Sequence, residues 1–256
     1  AVATLTSQCF GCAMLFWMTH KGENIRIRPC NFTPTRAFAK EIIFGGTPSL
    51  SRQGLGSIAT LMLNVAAGAF GDAAIAGMSI VTRISFFTYA MVIGLGQGFQ
   101  PLCGFCYGAK LYGRVKEAFF FCIRCGTVFL SVCALLGFIF STSIISIFRD
   151  DAAVVAVGSV ALRWQVLSFP LVASIVLTNM LMQTIRKPVR ANIVAAARSG
   201  LFFIPLIFIL PYFFGLLGVE MCQMWADCCS FAVAVPIAWS AFRDMRREQM
   251  ELGKSH

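Results

Sequence analysis

Seven stretches of this sequence are long and apolar enough to leave a chain few choices. They cover residues 1–18, 48–68, 74–99, 117–140, 154–184, 191–212 and 221–242. About 20 apolar residues in an α-helix, rising 1.5 Å each, cross a hydrocarbon layer of about 30 Å. Inside that layer every backbone N–H and C=O must be paired within the structure, so only helices and closed barrels span it. Barrel strands need only about 10 residues, so stretches of this length predict an all-α integral membrane protein with seven transmembrane helices.

Charge supports this. Only 12% of residues are charged and 58% are hydrophobic, against roughly 25% charged in soluble domains. The net charge of +10 would suggest nucleic acid in a soluble protein. Here the basic residues sit in the links between apolar stretches, so nucleic acid is excluded as a partner and the lipid bilayer takes its place. Alternate links are unequal. Segments 19–45, 101–124, 186–190 and the tail from 243 hold sixteen Lys and Arg, whereas the opposite links hold one, Arg149. Lys and Arg are retained on the cytoplasmic side. The bias therefore predicts a multi-pass protein of the cell (inner) membrane with a cytoplasmic C-terminus and Ala1 outside. Seven spans with an external start and no leader predict the C-terminal part of a longer protein.

The links have their own signals. In 19–45, Thr33-Pro34 reads as a helix N-cap followed by proline at the first helical position. Phe38, Ile42 and Ile43 then predict a short amphipathic helix on the membrane surface. The sequon Asn31-Phe32-Thr33 falls on the cytoplasmic side and is not expected to be glycosylated. Tight outer turns are expected at Gly71-Asp72 and over 215–220, with another outer link at Arg149-Asp150-Asp151. Glycines at 94, 96, 98, 104 and 108 surround Pro101. They predict a helix that stops at the proline and a close-packed basic loop over 101–116, with Gly94/Gly98 and Gly104/Gly108 as GxxxG packing pairs.

Three CxxC pairs, Cys9/Cys12, Cys103/Cys106 and Cys122/Cys125, place two thiols on one helix face. That admits a membrane redox or metal protein. Against it, cysteine is a common buried apolar residue, and His20 and His256 are the only histidines. No metal and no organic cofactor are expected.

Charges inside spans are costly and usually functional. They are Arg52, Arg83, Arg163, Arg198 and Asp227, the last the only acid well inside a span. Arg163 and Arg83 lie at a depth similar to Asp227, so the three are candidates for an ion pair. Alternatively Asp227 is a coupling group that takes up and releases a proton. Gln53, Asn64, Met62, Asn179, Met182 and Gln183 are candidate substrate-cavity residues, each with interhelical packing or hydrogen bonding as its competing role; Gln165 and Met180 are noted beside them. Met78, Phe86, Phe87, Tyr89 and Met91 suit a cavity for apolar cations. Pro170, Pro205 and Pro236 remove backbone hydrogen bonds within spans and permit bends.

A series of motifs completes the reading: Gly46-Thr47-Pro48-Ser49, Arg52-Gln53-Gly54, Gly71-Asp72-Ala73-Ala74-Ile75-Ala76 with Arg83, Gly94-x-Gly-Gln97-Gly98-x-Gln100-Pro101, Gly104-x-x-Tyr107-Gly108-Ala109, Phe148-Arg149-Asp150-Asp151, Asn179-Met180-Leu181-x-Gln183, Ala195-Ala196-Ala197-Arg198-x-Gly200 and Ala226-Asp227. In this order they resemble the C-terminal lobe of the multidrug and toxic compound extrusion (MATE) transporters, in their bacterial MepA-type branch. The resemblance implies a twelve-helix fold of two six-helix lobes. Residues 1–18 would be the last helix of the first lobe, 19–45 an inter-lobe linker, 46–242 the second lobe and 243–256 a basic tail. It implies no enzyme but an antiporter that exports organic cations and other drugs against H+ or Na+ by alternating access. The partner would be a missing N-terminal lobe, without which this chain is expected to be inactive. Acids that many members carry in the helices matching spans two and five are absent here, and Cys106 replaces the family's Asn. A lipid-linked oligosaccharide flippase of the same two-lobe fold stays open beside the drug reading.

Overall fold

A computed structural model describes residues 2–21 and 35–254. The sequon, Arg26, Arg28 and Thr33-Pro34 lie outside the described residues. The chain divides into two units, residues 1–43 and 44–256, each described by itself. The first holds α1 (Val2–Lys21) and the opening turns of α2 (Arg36–Gly68). The second holds the remainder of α2, then α3 (Asp72–Gly108), α4 (Tyr112–Ile139), α5 (Ser141–Phe148), α6 (Ala152–Thr184), α7 (Pro188–Ala196), a π-helical turn (Ala197–Leu201), α8 (Phe203–Phe214) and α9 (Leu216–Lys254). The chain is helical almost throughout the described residues.

Helix α6 is the axis of the second unit. It packs against α3, α4, α5, α7 and α9, and its buried residues occupy every face, from Val154 and Gly158 to Leu181 and Met182. Glycine makes this possible, though not at the expected pairs. A Cβ on Gly94, Gly98 or Gly108 would meet open space. A Cβ on Gly77 of α3 would instead come within 3.2 Å of the Gly158 backbone, one on Gly126 within 3.1 Å of Ala173, and one on Gly137 within 2.9 Å of Val166. Within the glycine-rich stretch a Cβ on Gly96 would collide with Met180 of α6 and one on Gly104 would touch Thr184 (3.5 Å), so the glycines that face α6 do so without the i, i+4 spacing of a GxxxG seam.

The glycine-rich stretch also differs from its expected form. Helix α3 does not stop at Pro101 but continues to Gly108, leaving only 109–111 as a link. Proline lacks an N–H and so forfeits one ladder bond, and the buried flank of Phe99, Cys103 and Cys106 holds the turn in place. The link closes by backbone bonds alone. Leu111 N–H donates to Cys106 O (2.8 Å) and Lys110 N–H to Tyr107 O (3.0 Å), with Lys110 at φ 59°. The same closure ends α6, where Lys187 N–H reaches Met182 O (2.9 Å) and Arg186 sits at φ 56°. Positive φ at the opposite end of the bundle belongs to Gly71 and Gly215.

Three further boundaries move. The link after 140 contains α5, and Asp151 caps α6 through Ala153 N–H (3.0 Å). The outer turn over 215–220 shrinks to Gly215, because α9 starts at Leu216. The basic tail stays helical to Lys254. Six helical segments among the described residues are long and apolar enough to cross a membrane. Helix α2, the remaining span of the sequence reading, falls short because Arg52, Gln53, Ser57 and Thr60 interrupt it, and these line a cavity.

Candidate functional site

The cavity has a volume of about 350 Å³, within the range of small-molecule sites. Helix α2 contributes Arg52, Gln53, Ser57 and Thr60, and α3 contributes Met78, Thr82, Ser85, Phe86 and Tyr89. Gln165 of α6 closes the back, and Arg198, Phe203 and Gln223 complete the far wall. The lining is mixed: aromatic and thioether groups beside uncharged polar ones, with arginine as its only formal charge.

Asp227 lies directly behind this wall and is fully buried. One carboxylate oxygen accepts from Arg198 Nε (2.7 Å) and Gln223 Nε2 (3.0 Å); the other accepts from Ser168 Oγ (2.8 Å). The guanidinium of Arg198 also lies over the Tyr89 ring, 4.5 Å from its centroid. A buried carboxylate is tolerable only when paired and hydrogen-bonded, and three donors supply that.

The ion-pair partner is therefore Arg198, not Arg163 or Arg83. Arg163 donates to Ser141 Oγ (2.9 Å) and leans on Phe138. Its direction follows from helical phase: Arg163 and Ser168 are five residues apart, a rotation of about 140° on one helix, so if Ser168 faces Asp227, Arg163 faces α5. Arg83 is exposed and makes no ion pair among the described residues.

Arg198 continues the buried face of the preceding helix, and the π-helical turn in which it sits moves that face by one position beyond it. In an uninterrupted α-helix the buried positions Ala191 and Ala195 would continue to 198, 202 and 206. Instead Phe203 and Ile207 are the buried residues of α8, a slip of one position. Such single-turn insertions are frequent at functional sites.

Among the candidate cavity residues, only Gln53 lines the cavity. Asn64 is exposed and Met62 packs against the core. Met182 is fully buried. Asn179 donates to Ala191 O (2.7 Å) and accepts from Gln183 Nε2 (2.7 Å), so these two amides brace α6 against the start of α7. From the apolar set, Met78, Phe86 and Tyr89 line the cavity, whereas Phe87 and Met91 are exposed. Ser168, Gln223, Ser57, Thr60, Thr82 and Ser85 are site residues not singled out above; their only signal in the chain is a hydroxyl or amide group within an otherwise apolar span.

A second polar cluster closes the basic end of the bundle. Asp244 of α9 accepts from Lys187 and from Arg190 Nη1 (2.9 Å). One turn further on, Glu248 accepts from Tyr112 Oη (2.7 Å). The described thiols are free, and no group of three His, Cys, Asp or Glu able to hold a metal occurs among the described residues.

Comparison with known proteins gives a consistent answer. Residues 48–209 match the MatE family model. Over 230 residues the chain is 26% identical to the multidrug export protein MepA of Staphylococcus haemolyticus, covering 90% of this chain and 50% of that one. Identity to MepA of Staphylococcus aureus strain N315 is 28% over 231 residues, covering 89% and 51%. Among solved structures, an outward-facing multidrug resistance MATE family transporter of the MOP superfamily superposes with a TM-score of 0.84 at 19% identity, covering 95% of this chain and 55% of that one. The chain spans about half the length of these relatives.

Proposed function

This chain belongs to the MATE family of transporters, and from that premise we propose that it forms the second lobe of a drug antiporter. In this reading residues 46–242 are the second six-helix lobe, 1–18 the last helix of the first, 19–45 the linker and 243–256 the tail. The basic end and the C-terminus face the cytoplasm, and the protein sits in the cell membrane. Drug-like organic cations and other amphiphiles leave the cell, H+ or Na+ enters, and the two lobes rock to expose the cavity to each side in turn.

The observation that carries the reading is the cavity wall. Met78, Phe86 and Tyr89 give deformable apolar and aromatic surface beside Gln53, Gln165 and Gln223, a combination that accepts varied amphiphiles without demanding one geometry. The half-length match to the relatives supports the need for a first lobe. Asp227, held by three donors, acts in this reading as a fixed wall element, and the coupling carboxylate lies in the first lobe.

The test is transport in everted membrane vesicles, with the chain made together with a first lobe. Uptake of cationic and zwitterionic dyes should follow an imposed pH or Na+ gradient and collapse with the ionophore for one of the two ions. Absence of uptake under either gradient overturns the reading. The chain made alone should move no dye.

A further inference from the structure

The charge of the cavity does not balance within its own wall. Arg52 and Arg198 line it, and no aspartate or glutamate does. Arg198 is answered by Asp227 behind the wall. Arg52, half-buried on α2, forms neither an ion pair nor a side-chain hydrogen bond among the described residues. A partly desolvated guanidinium without a partner favours an anion, to which it offers paired N–H donors.

A second group at the same level also lacks a partner. The hydroxyl of Ser85 is buried with no hydrogen bond, although it belongs to the cavity lining. Arg52 lies sixteen residues before the end of α2, and Ser85, Phe86 and Tyr89 lie thirteen, fourteen and seventeen after the start of α3. The two helices are joined by a three-residue turn, so these side chains stand at a similar depth. A buried donor left unmade is costly, and rotation about χ1 would turn it to the cavity, where a bound anionic oxygen satisfies it.

We propose that Arg52 is a specificity residue that takes the anionic head of an amphiphile, with Ser85 donating to the same head and Phe86, Tyr89 and Met78 holding the apolar body. This rests on the transport reading and extends its substrate class to acidic amphiphiles. The ligand is a carboxylate- or phosphate-type anion on an apolar or aromatic body, either a free amphiphile or a lipid headgroup.

The test is calorimetric titration of the chain purified together with a first lobe, as in the transport test, in nanodiscs of neutral lipid. The probes are 2-naphthoate, neutral 2-naphthamide and cationic 2-naphthylmethylammonium. Naphthoate should bind about tenfold or more tightly than the amide. Arg52→Gln should abolish that preference, Arg52→Lys should keep part of it, and Ser85→Ala should weaken naphthoate about twofold to fivefold. Arg149→Gln, in the turn at the other end of the bundle, should change nothing. Equal binding of the three probes, tighter binding of the cation, no binding at all, or a preference that survives Arg52→Gln overturns the assignment. Adding anionic phosphatidylglycerol separates the two sources: displacement of naphthoate assigns the site to a lipid headgroup, and undisturbed binding assigns it to a free amphiphile. Dye transport that persists without any naphthoate preference removes the Arg52 role and leaves the transport reading standing. Naphthoate preference without dye transport does the reverse.

Discussion

Helix α9 carries two aspartates, each paired with basic residues that follow α6 in the chain, and they live in different physical worlds. Asp227 is fully buried, has one cation, and spends its remaining capacity on Ser168 and Gln223. Asp244 is about 30% exposed and has two cations, Lys187 and Arg190, themselves 28% and 35% exposed. The carboxylate of the first pair has no water to fall back on, although Arg198 keeps one side on the cavity. Removing one member leaves an uncompensated charge in a low-dielectric interior, which costs far more than the intact pair contributes. The second pair is redundant and wet, so each contact is worth little. The same two residue types therefore make a fixed wall element at mid-bundle and an adjustable clasp at the basic end.

The sharpest way to break this contrast is Asp227→Ala. It strands Arg198 against the Tyr89 face and should cost about 3–5 kcal/mol, read as a large fall in the thermal unfolding midpoint in detergent. Arg198→Ala should cost a similar amount, and Asp227→Ala with Arg198→Ala together should recover part of the loss. Additive single effects would show that the two residues do not act as a pair. At the other end, Tyr112→Phe removes one hydrogen bond to Glu248, an exposed carboxylate whose charge water screens, and should lower stability by about 0.5–1.5 kcal/mol, seen as a modest midpoint shift.

Asp244→Ala should cost less still, about 0–1 kcal/mol, and the difference from the parent should shrink further in high salt. A loss as large as that of Asp227→Ala would dissolve the comparison. The smallest effect is expected from Lys110→Gly. Its φ of 59° suits glycine, so the change should raise stability by up to about 1 kcal/mol, provided the chain still inserts the same way.

Much of this architecture is legible in the sequence because it follows from composition along the chain. Apolar spans, basic links and the single acid in span seven need no partner to be seen. The partner of that acid was not legible for a geometric reason. Depth can be counted from the residues, and depth points to Arg163 and Arg83 rather than to Arg198. Azimuth alone puts Arg198 in phase with buried Ala191 and Ala195, and beyond it the π-helical turn adds a residue that rotates everything after by about 100°. Asn179 and Gln183 misled for another reason. Amides in a span are equally suited to a ligand and to a backbone carbonyl, and only the position of Ala191 decides. The glycine series around Pro101 was over-read. Spacing alone does not say which glycines face a neighbour: in that series Gly96 and Gly104 face α6, and elsewhere Gly77, Gly126 and Gly137 do.

The π-helical turn at Ala197–Leu201 has one more consequence, for evolutionary bookkeeping. A relative that carries this span as a plain α-helix, yet buries equivalent faces of both halves, must have one residue fewer between its counterparts of Val194 and Phe203. Aligned without a gap from the Phe203 side, its column opposite Arg198 would hold a residue from a different helix face, and the basic partner of Asp227 would look unconserved. A one-residue gap in this stretch is thus the trace of a conformation, and substitution patterns on either side of it belong to different registers.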